Sequence, residues 1–66
     1  MKIYLNGEAR EVPENCTAAQ LVDNLGLAGK RIAMEVNLEI IPRSGYDSHT
    51  LQAEDKVEIV HAIGGG

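Results

Sequence analysis

Apolar and polar residues alternate in several short segments of the chain, a pattern typical of β-strands with one buried face. The first such segment places Ile3 and Leu5 on the same face. Asn6-Gly7 follows, and this pair favours the tight turn of a β-hairpin because both residues tolerate positive φ. Residues 8–12 alternate more weakly and are followed by a proline, so we predict an edge strand there.

The next segment has apolar residues three and four positions apart, which predicts one short helix of about eight or nine residues. Thr17 and Gln20 form a capping-box sequence at its start, where each side chain can bond the other residue's backbone N–H. Gly26 lies where a left-handed residue is expected to end a helix. A helix this short needs tertiary packing, so we predict that it packs on a sheet. Its apolar stripe is Ala18, Leu21, Val22 and Leu25.

Further strands are predicted after the helix. Residues 32–36 predict a third strand, and residues 40–41 a short fourth strand that a proline ends. Residues 44–53 are polar and irregular, with Leu51 as the predicted anchor in the core. Residues 56–63 predict the last strand. A hairpin, one helix and further strands together predict a two-layer α+β domain.

Composition narrows the class of protein. The 66 residues allow one small domain, and 44% hydrophobic with 24% charged residues is an ordinary globular balance. Ten acidic and six scattered basic residues give a net charge of −4, which disfavours a nucleic-acid binder. Cys16 is the single cysteine, so no intrachain disulfide is expected. Without a long apolar run, the sequence predicts a cytoplasmic protein with no membrane partner.

The least ordinary feature is the run Gly64-Gly65-Gly66 after a well-formed strand pattern. Glycine has no side chain to pack, and it loses more backbone entropy on ordering than any other residue. Folding therefore gives no reason for three glycines in a row. A frayed terminus is one interpretation. The other is a slim segment that threads a narrow channel and carries the Gly66 carboxylate about 10 Å beyond the domain. ATP can activate a carboxylate as an acyl-adenylate, and a sulfur nucleophile can then displace AMP.

Three segments resemble the ThiS family, the ubiquitin-like sulfur carriers of thiamine thiazole synthesis. Residues 37–43 (NLEIIPR) resemble its N-x-x-I-[IV]-P-R segment, and residues 54–59 (EDKVEI) are similar to the start of its last strand. Gly65-Gly66 matches its C-terminal pair. The resemblance implies a β-grasp fold, with a mixed sheet of four to five strands packed on one short helix. It also implies a domain over residues 1–63 and a flexible glycine tail over residues 64–66.

The same resemblance implies a carrier without catalytic residues, metal or bound cofactor, so the chain would not be an enzyme. An E1-like enzyme of the ThiF type would use ATP to adenylate Gly66. A persulfide donor would convert the adenylate to a thiocarboxylate, and a thiazole synthase of the ThiG type would take the sulfur. Gly64 and Gly65 would thread the partner's channel. The partner surface would be formed by Glu58, Val60, Ala62 and Ile63.

Two alternatives remain open from the sequence. A related carrier could supply another pathway, such as molybdopterin or cysteine synthesis. The domain could also be a plain interaction module. It could equally be a ubiquitin-like modifier that forms an isopeptide bond between Gly66 and a lysine of another protein. An enzyme is disfavoured because no nucleophile–base pair, metal cluster or paired carboxylate spacing is visible.

Other polar residues are predicted to have structural roles. A helix N-terminus near Cys16 would favour its thiolate, but an isolated cysteine is usually a small apolar residue. His49 and His61 lack companions with zinc-ligand spacing. Asn37 is expected in a turn and Arg43 on the surface. A solvated acidic surface is predicted for Glu8, Glu11, Glu14, Glu54, Asp55 and Glu58.

Overall fold

One mixed sheet and one helix make up the fold in the computed structural model, which describes residues 1–62. The elements are β1 (Lys2–Leu5), β2 (Glu8–Glu11), α1 (Ala18–Asn24), β3 (Ile32–Val36), β4 (Glu39–Ile41), a 3₁₀ helix (Arg43–Gly45) and β5 (Lys56–His61). The strand order is β2-β1-β5-β3-β4. The β1–β5 pair is parallel and the other pairs are antiparallel. The predicted α+β class and mixed sheet are confirmed.

The first hairpin forms as the sequence predicts. Asn6 and Gly7 have φ values of 51° and 86°, the positive values that a tight two-residue hairpin turn requires. β2 returns antiparallel to β1 and is the edge strand of the sheet. All four residues of β2 are exposed, whereas Ile3 of β1 is fully buried. The hairpin therefore turns one face of β1 toward the core.

Helix α1 has the predicted signals at both ends. The Gln20 N–H donates to Thr17 Oγ1 at 3.1 Å, and the Thr17 N–H donates to Gln20 Oε1 at 3.0 Å. Gly26 adopts a φ of 72° and donates to the Asp23 carbonyl at 3.0 Å. The helix has seven residues, slightly fewer than predicted, because Leu25 is its C-cap residue and lies outside the helical span.

The core lies between α1 and the inner face of the sheet. Leu51 is buried, which confirms it as the anchor of the irregular segment, whereas the sequence did not predict the burial of Tyr46. Tyr46 directly follows the 3₁₀ helix. The largest fully buried side chains are Ile3, Leu21, Met34, Leu51, Val57 and Cys16.

The prediction that Asp55 belongs to a solvated acidic surface is wrong. Its side chain is only 8% exposed, so it does not belong to a solvated face. Its Oδ2 accepts from the Gln52 N–H at 2.8 Å, and its Oδ1 accepts from Asn37 Nδ2 at 3.0 Å. A buried carboxylate requires such donors because it has lost its water. Asp55 therefore stabilises the turn that leads into β5. The other five acidic residues of that set are exposed.

Within residues 1–62, no helix has the length and apolar character needed to cross a membrane. The predicted boundary at residue 63 and the glycine tail over residues 64–66 lie outside the described residues. The domain limits therefore stay a prediction.

Candidate functional site

Strand β5 places Glu58 and Val60, two of the four predicted partner-surface residues, on the outer face of the sheet. Val57 and Ile59 point into the core, so Glu58 and Val60 point outward, and Val60 is 59% exposed. Ala62 follows the strand and is partly buried. Ile63, like Gly64 to Gly66, lies outside the described residues. The structure thus places the outward residues of β5 together, directly before the segment that is predicted to react.

The outer face extends beyond β5 to its neighbours. Glu35 of β3 pairs with Glu58 on one side and with Ile40 of β4 on the other, so the three side chains share one face. Ile40 is 74% exposed. The sequence did not predict its exposure, because a two-residue strand shows too little alternation to tell inward from outward. We call Glu35, Ile40, Glu58 and Val60 the outer-face patch.

Two asparagine side chains hold β5 from opposite sides. On the β1 side, Asn6 Oδ1 accepts from the Ile59 N–H at 2.9 Å, and Asn6 Nδ2 donates to the Ile59 carbonyl at 3.3 Å. On the β3 side, Asn37 Oδ1 accepts from the Lys56 N–H at 3.0 Å. Asn37 has a φ of 51°, which confirms its predicted turn conformation. These amides bond the backbone where a neighbouring strand has ended, so β5 is paired along most of its length.

We expect Asn6→Gly to lower the free energy of unfolding by about 1–3 kcal/mol, since two hydrogen bonds to Ile59 are lost. Glycine still adopts the positive φ of this turn, so the loss reports the amide rather than backbone strain. Urea unfolding followed by circular dichroism measures it. Asn15→Gly, the same substitution at an exposed residue that also has a positive φ (62°), is the control. A loss of similar size in both variants would contradict the assignment to the Asn6 amide.

The backbone beyond β5 is also bonded. The Ala62 N–H donates to the Arg31 carbonyl at 3.0 Å. Nearby, Arg43 Nη2 donates to the Lys30 carbonyl at 2.6 Å. Arg43 is exposed as predicted, but its bond to the loop before β3 was not predicted, because the partner is a backbone carbonyl 13 positions away.

The alternative chemical groups do not come together in the described part of the chain. Cys16 is buried, and this burial raises the pKa of its thiol, so the structure contradicts the idea that its position favours the thiolate. Among residues 1–62, no group of three or more His, Cys, Asp and Glu side chains could hold a metal ion. The outer-face patch and the C-terminal segment thus remain the candidate site.

The chain has a mixed five-stranded sheet packed on one short helix. The last strand lies in the middle of the sheet and precedes the terminal glycines. This architecture defines a β-grasp protein. The model of the ThiS family matches residues 3–66. The chain therefore belongs to the ThiS family.

Relatives and a solved structure agree with this assignment. A thiazole synthase of Paramagnetospirillum magneticum is 42% identical over the whole chain, which spans 20% of that protein. The Escherichia coli sulfur carrier protein ThiS is 27% identical over the full length of both chains. The crystal structure of the thiamine biosynthesis protein ThiS from Geobacter metallireducens superposes with a TM-score of 0.87, at 29% identity and full coverage of both chains. The predicted β-grasp fold and the resemblance to the ThiS family are thus confirmed.

Proposed function

We propose that this chain carries sulfur as a thiocarboxylate on Gly66 and delivers it to a thiazole synthase. A Gly66 carboxylate oxygen attacks the α-phosphorus of ATP in an E1-like enzyme of the ThiF type and releases pyrophosphate. The terminal sulfur of a persulfide donor then attacks the acyl carbon and displaces AMP. A thiol cleaves the resulting S–S bond, which leaves the thiocarboxylate on the carrier and a disulfide on the donor.

The family match through to Gly66 is the observation that carries this proposal. The structure supports the proposal because the strand that precedes the terminus is firmly held in the sheet. β5 lies in the middle of the sheet, between β1 and β3, and its backbone is held further by Asn6 and Asn37. A reacting group on a short extension from such a strand can be presented to a partner without rearrangement of the domain.

The proposed partners are a thiazole synthase, the E1-like enzyme and the persulfide donor. Two relatives named thiazole synthase each contain a segment similar to this whole chain, as a fifth of their length. Such a segment within a synthase supports the thiazole synthase as the sulfur acceptor. The chain itself would then be a cosubstrate with no turnover of its own, and the activating enzyme would bind the ATP.

We place this chemistry in the cytoplasm. The ATP that activates Gly66 is available there, and the buried free thiol of Cys16 suits a reducing compartment.

The outer-face patch is the proposed docking surface, and its charges indicate a basic partner. Glu35 and Glu58 are directly opposite each other on neighbouring strands. Like charges in that position destabilise a sheet, so this pair lowers the stability of the free protein. A Lys or Arg side chain of the partner would relieve the repulsion, while the exposed Ile40 and Val60 would provide apolar contact area.

We therefore expect Glu58→Gln to have effects of opposite sign on stability and on docking. The free energy of unfolding should rise by roughly 0.2–1 kcal/mol as the repulsion with Glu35 is removed. The kcat/KM of adenylation should fall by roughly threefold to tenfold, as expected when a charge contact of about 1 kcal/mol is lost. Chemical denaturation and ATP–pyrophosphate exchange measure the two effects.

Glu39→Gln is the matched control for this experiment. It removes the same charge from an exposed position, but Glu39 pairs with the buried Val36 and so does not share the outer face. Equal losses of kcat/KM in both variants would show a general charge effect and contradict a specific role for Glu58.

Complementation tests the function as a whole. The chain is expressed in a thiamine-requiring strain that lacks its own carrier, beside a version without Gly65 and Gly66. We expect growth without added thiazole from the full chain only. Growth from both versions, or from neither while the strain's own carrier restores growth, would contradict the proposal.

A further inference from the structure

One backbone hydrogen bond restrains Ala62, the last residue that the structure describes. β5 ends at His61, and the next N–H, that of Ala62, donates to the Arg31 carbonyl at 3.0 Å. Arg31 directly precedes β3. The bond extends the β3–β5 pairing one position beyond the Ile32–His61 pair, so the Arg31 carbonyl restrains the backbone at residue 62.

Arg43 fixes the loop that carries this carbonyl. Its Nη2 donates to the Lys30 carbonyl at 2.6 Å. That carbonyl belongs to the peptide group that joins Lys30 to Arg31, and a peptide group is planar. Holding its oxygen therefore restricts the rotation of the backbone on the N-terminal side of Arg31. The loop needs such a restraint, since it contains Gly29 at a φ of 79°.

The backbone around Arg43 is itself restrained by hydrogen bonds and by a proline. Pro42 has a fixed φ, and its carbonyl accepts from the Gly45 N–H at 2.8 Å. Tyr46 donates its N–H to the Arg43 carbonyl at 3.1 Å, and its side chain is buried in the core. The guanidinium thus connects a turn that is anchored in the core to the loop before β3.

We propose that Arg43 is a positioning residue for the reactive terminus, acting through Lys30 and Arg31 on the backbone of Ala62. This inference rests on the proposed function, because it concerns how Gly66 reaches a partner's active site. A restrained backbone at residue 62 lowers the conformational entropy that is lost when a partner binds there, so it favours binding. Arg43 itself touches no reacting atom.

Amide hydrogen exchange in the free protein tests the structural part. Arg43→Gln is expected to raise the exchange rate of the Ala62 N–H about fivefold, as for the loss of one typical hydrogen bond. The amides of Met34 and Ile59, in the middle of the sheet, should not change. Arg31→Gln is the matched control, since it removes an equal charge nearby and leaves the Arg31 carbonyl in place.

Adenylation kinetics test the functional part. With a ThiF-type enzyme, Arg43→Gln is expected to raise KM for the carrier about fivefold with kcat unchanged, because the substitution raises the entropic cost of binding and leaves the reacting groups as they are. Arg43→Lys, which can still donate one hydrogen bond to the Lys30 carbonyl, should restore much of the wild-type KM.

The outcomes separate this inference from the proposed function. Unchanged exchange at Ala62 in Arg43→Gln, or a rise that includes Met34 and Ile59, would overturn it. A fall in kcat with KM unchanged would also overturn it. If the wild-type chain is never adenylated, the proposed function fails, and the Arg43 connection is then decided by the exchange of Ala62 alone.

Discussion

Substitution of Gly65 with valine is expected to reduce kcat/KM for adenylation by roughly 10²-fold or more, because a side chain at this position would hold the carboxylate away from its place in the partner's channel. The free energy of unfolding should stay within about 0.5 kcal/mol of the wild type, as for surface substitutions in general. A small effect on stability is expected because β5 ends at His61, four residues before Gly65. ATP–pyrophosphate exchange and chemical denaturation measure the two quantities.

Gly65→Ala provides the graded control. Its single methyl group is expected to give a loss between those of the wild type and Gly65→Val, if the channel excludes volume. Adenylation of Gly65→Val at the wild-type rate would contradict a narrow channel. An equal, complete loss in both variants would indicate recognition of backbone conformation instead of side-chain size.

Asp55→Ala is expected to produce the largest loss of stability, about 2–4 kcal/mol. The substitution leaves the Gln52 N–H and the Asn37 amide without their acceptor in a site that is 8% exposed. Hydrogen bonds to a charged group contribute about 1.5–3 kcal/mol each, and part of their loss is offset because the carboxylate no longer has to be buried. Asn37 also bonds the Lys56 N–H, so the start of β5 should loosen with it. Urea unfolding measures the loss.

Two variants show whether the carboxylate is the cause. Asp55→Asn keeps the shape and one acceptor oxygen, so it should lose about half as much. Glu54→Gln removes the same charge from the neighbouring exposed position and should change the free energy of unfolding by less than about 0.5 kcal/mol. A loss below about 1 kcal/mol for Asp55→Ala would contradict the buried-carboxylate interpretation.

Local signals made much of the fold predictable from the sequence. Asn6-Gly7 predicts its hairpin turn because positive φ is a property of those residues alone, and the Thr17–Gln20 capping box needs only residues three apart. The helix and the strands follow from periodicity and were found close to their predicted positions, although Leu25 of the stripe is the C-cap residue and β5 ends at His61 rather than at residue 63.

The features that were missed depend on distant partners. Asp55 resembles any acidic turn residue until the fold brings Asn37 beside it, and the second role of Asn6 depends on Ile59, 53 positions away. The bond from Arg43 to Lys30 likewise joins two loops that only the folded sheet brings together. Alternation indicates which side chains point inward, but it does not identify the neighbouring strand.

The candidate site was predicted in a different way. The Gly66 carboxylate was singled out by the terminal glycine run, whereas its sulfur chemistry and the partner surface followed from the resemblance to the ThiS family. The structure adds that Glu58 and Val60 point outward with Glu35 and Ile40 beside them. The roles of Gly64, Gly65 and Gly66 stay predictions, since they lie outside the described residues.

The intact mass of the protein tests the central claim most directly. The chain is incubated with a ThiF-type enzyme, ATP and a persulfide donor that are shown to convert an established carrier. We predict a mass gain equal to the replacement of one oxygen by sulfur, located on the peptide that contains Gly66 and absent when Gly65 and Gly66 are deleted. An unchanged mass under these conditions would contradict the sulfur-carrier account, and a series of higher-mass conjugates would instead identify a protein modifier.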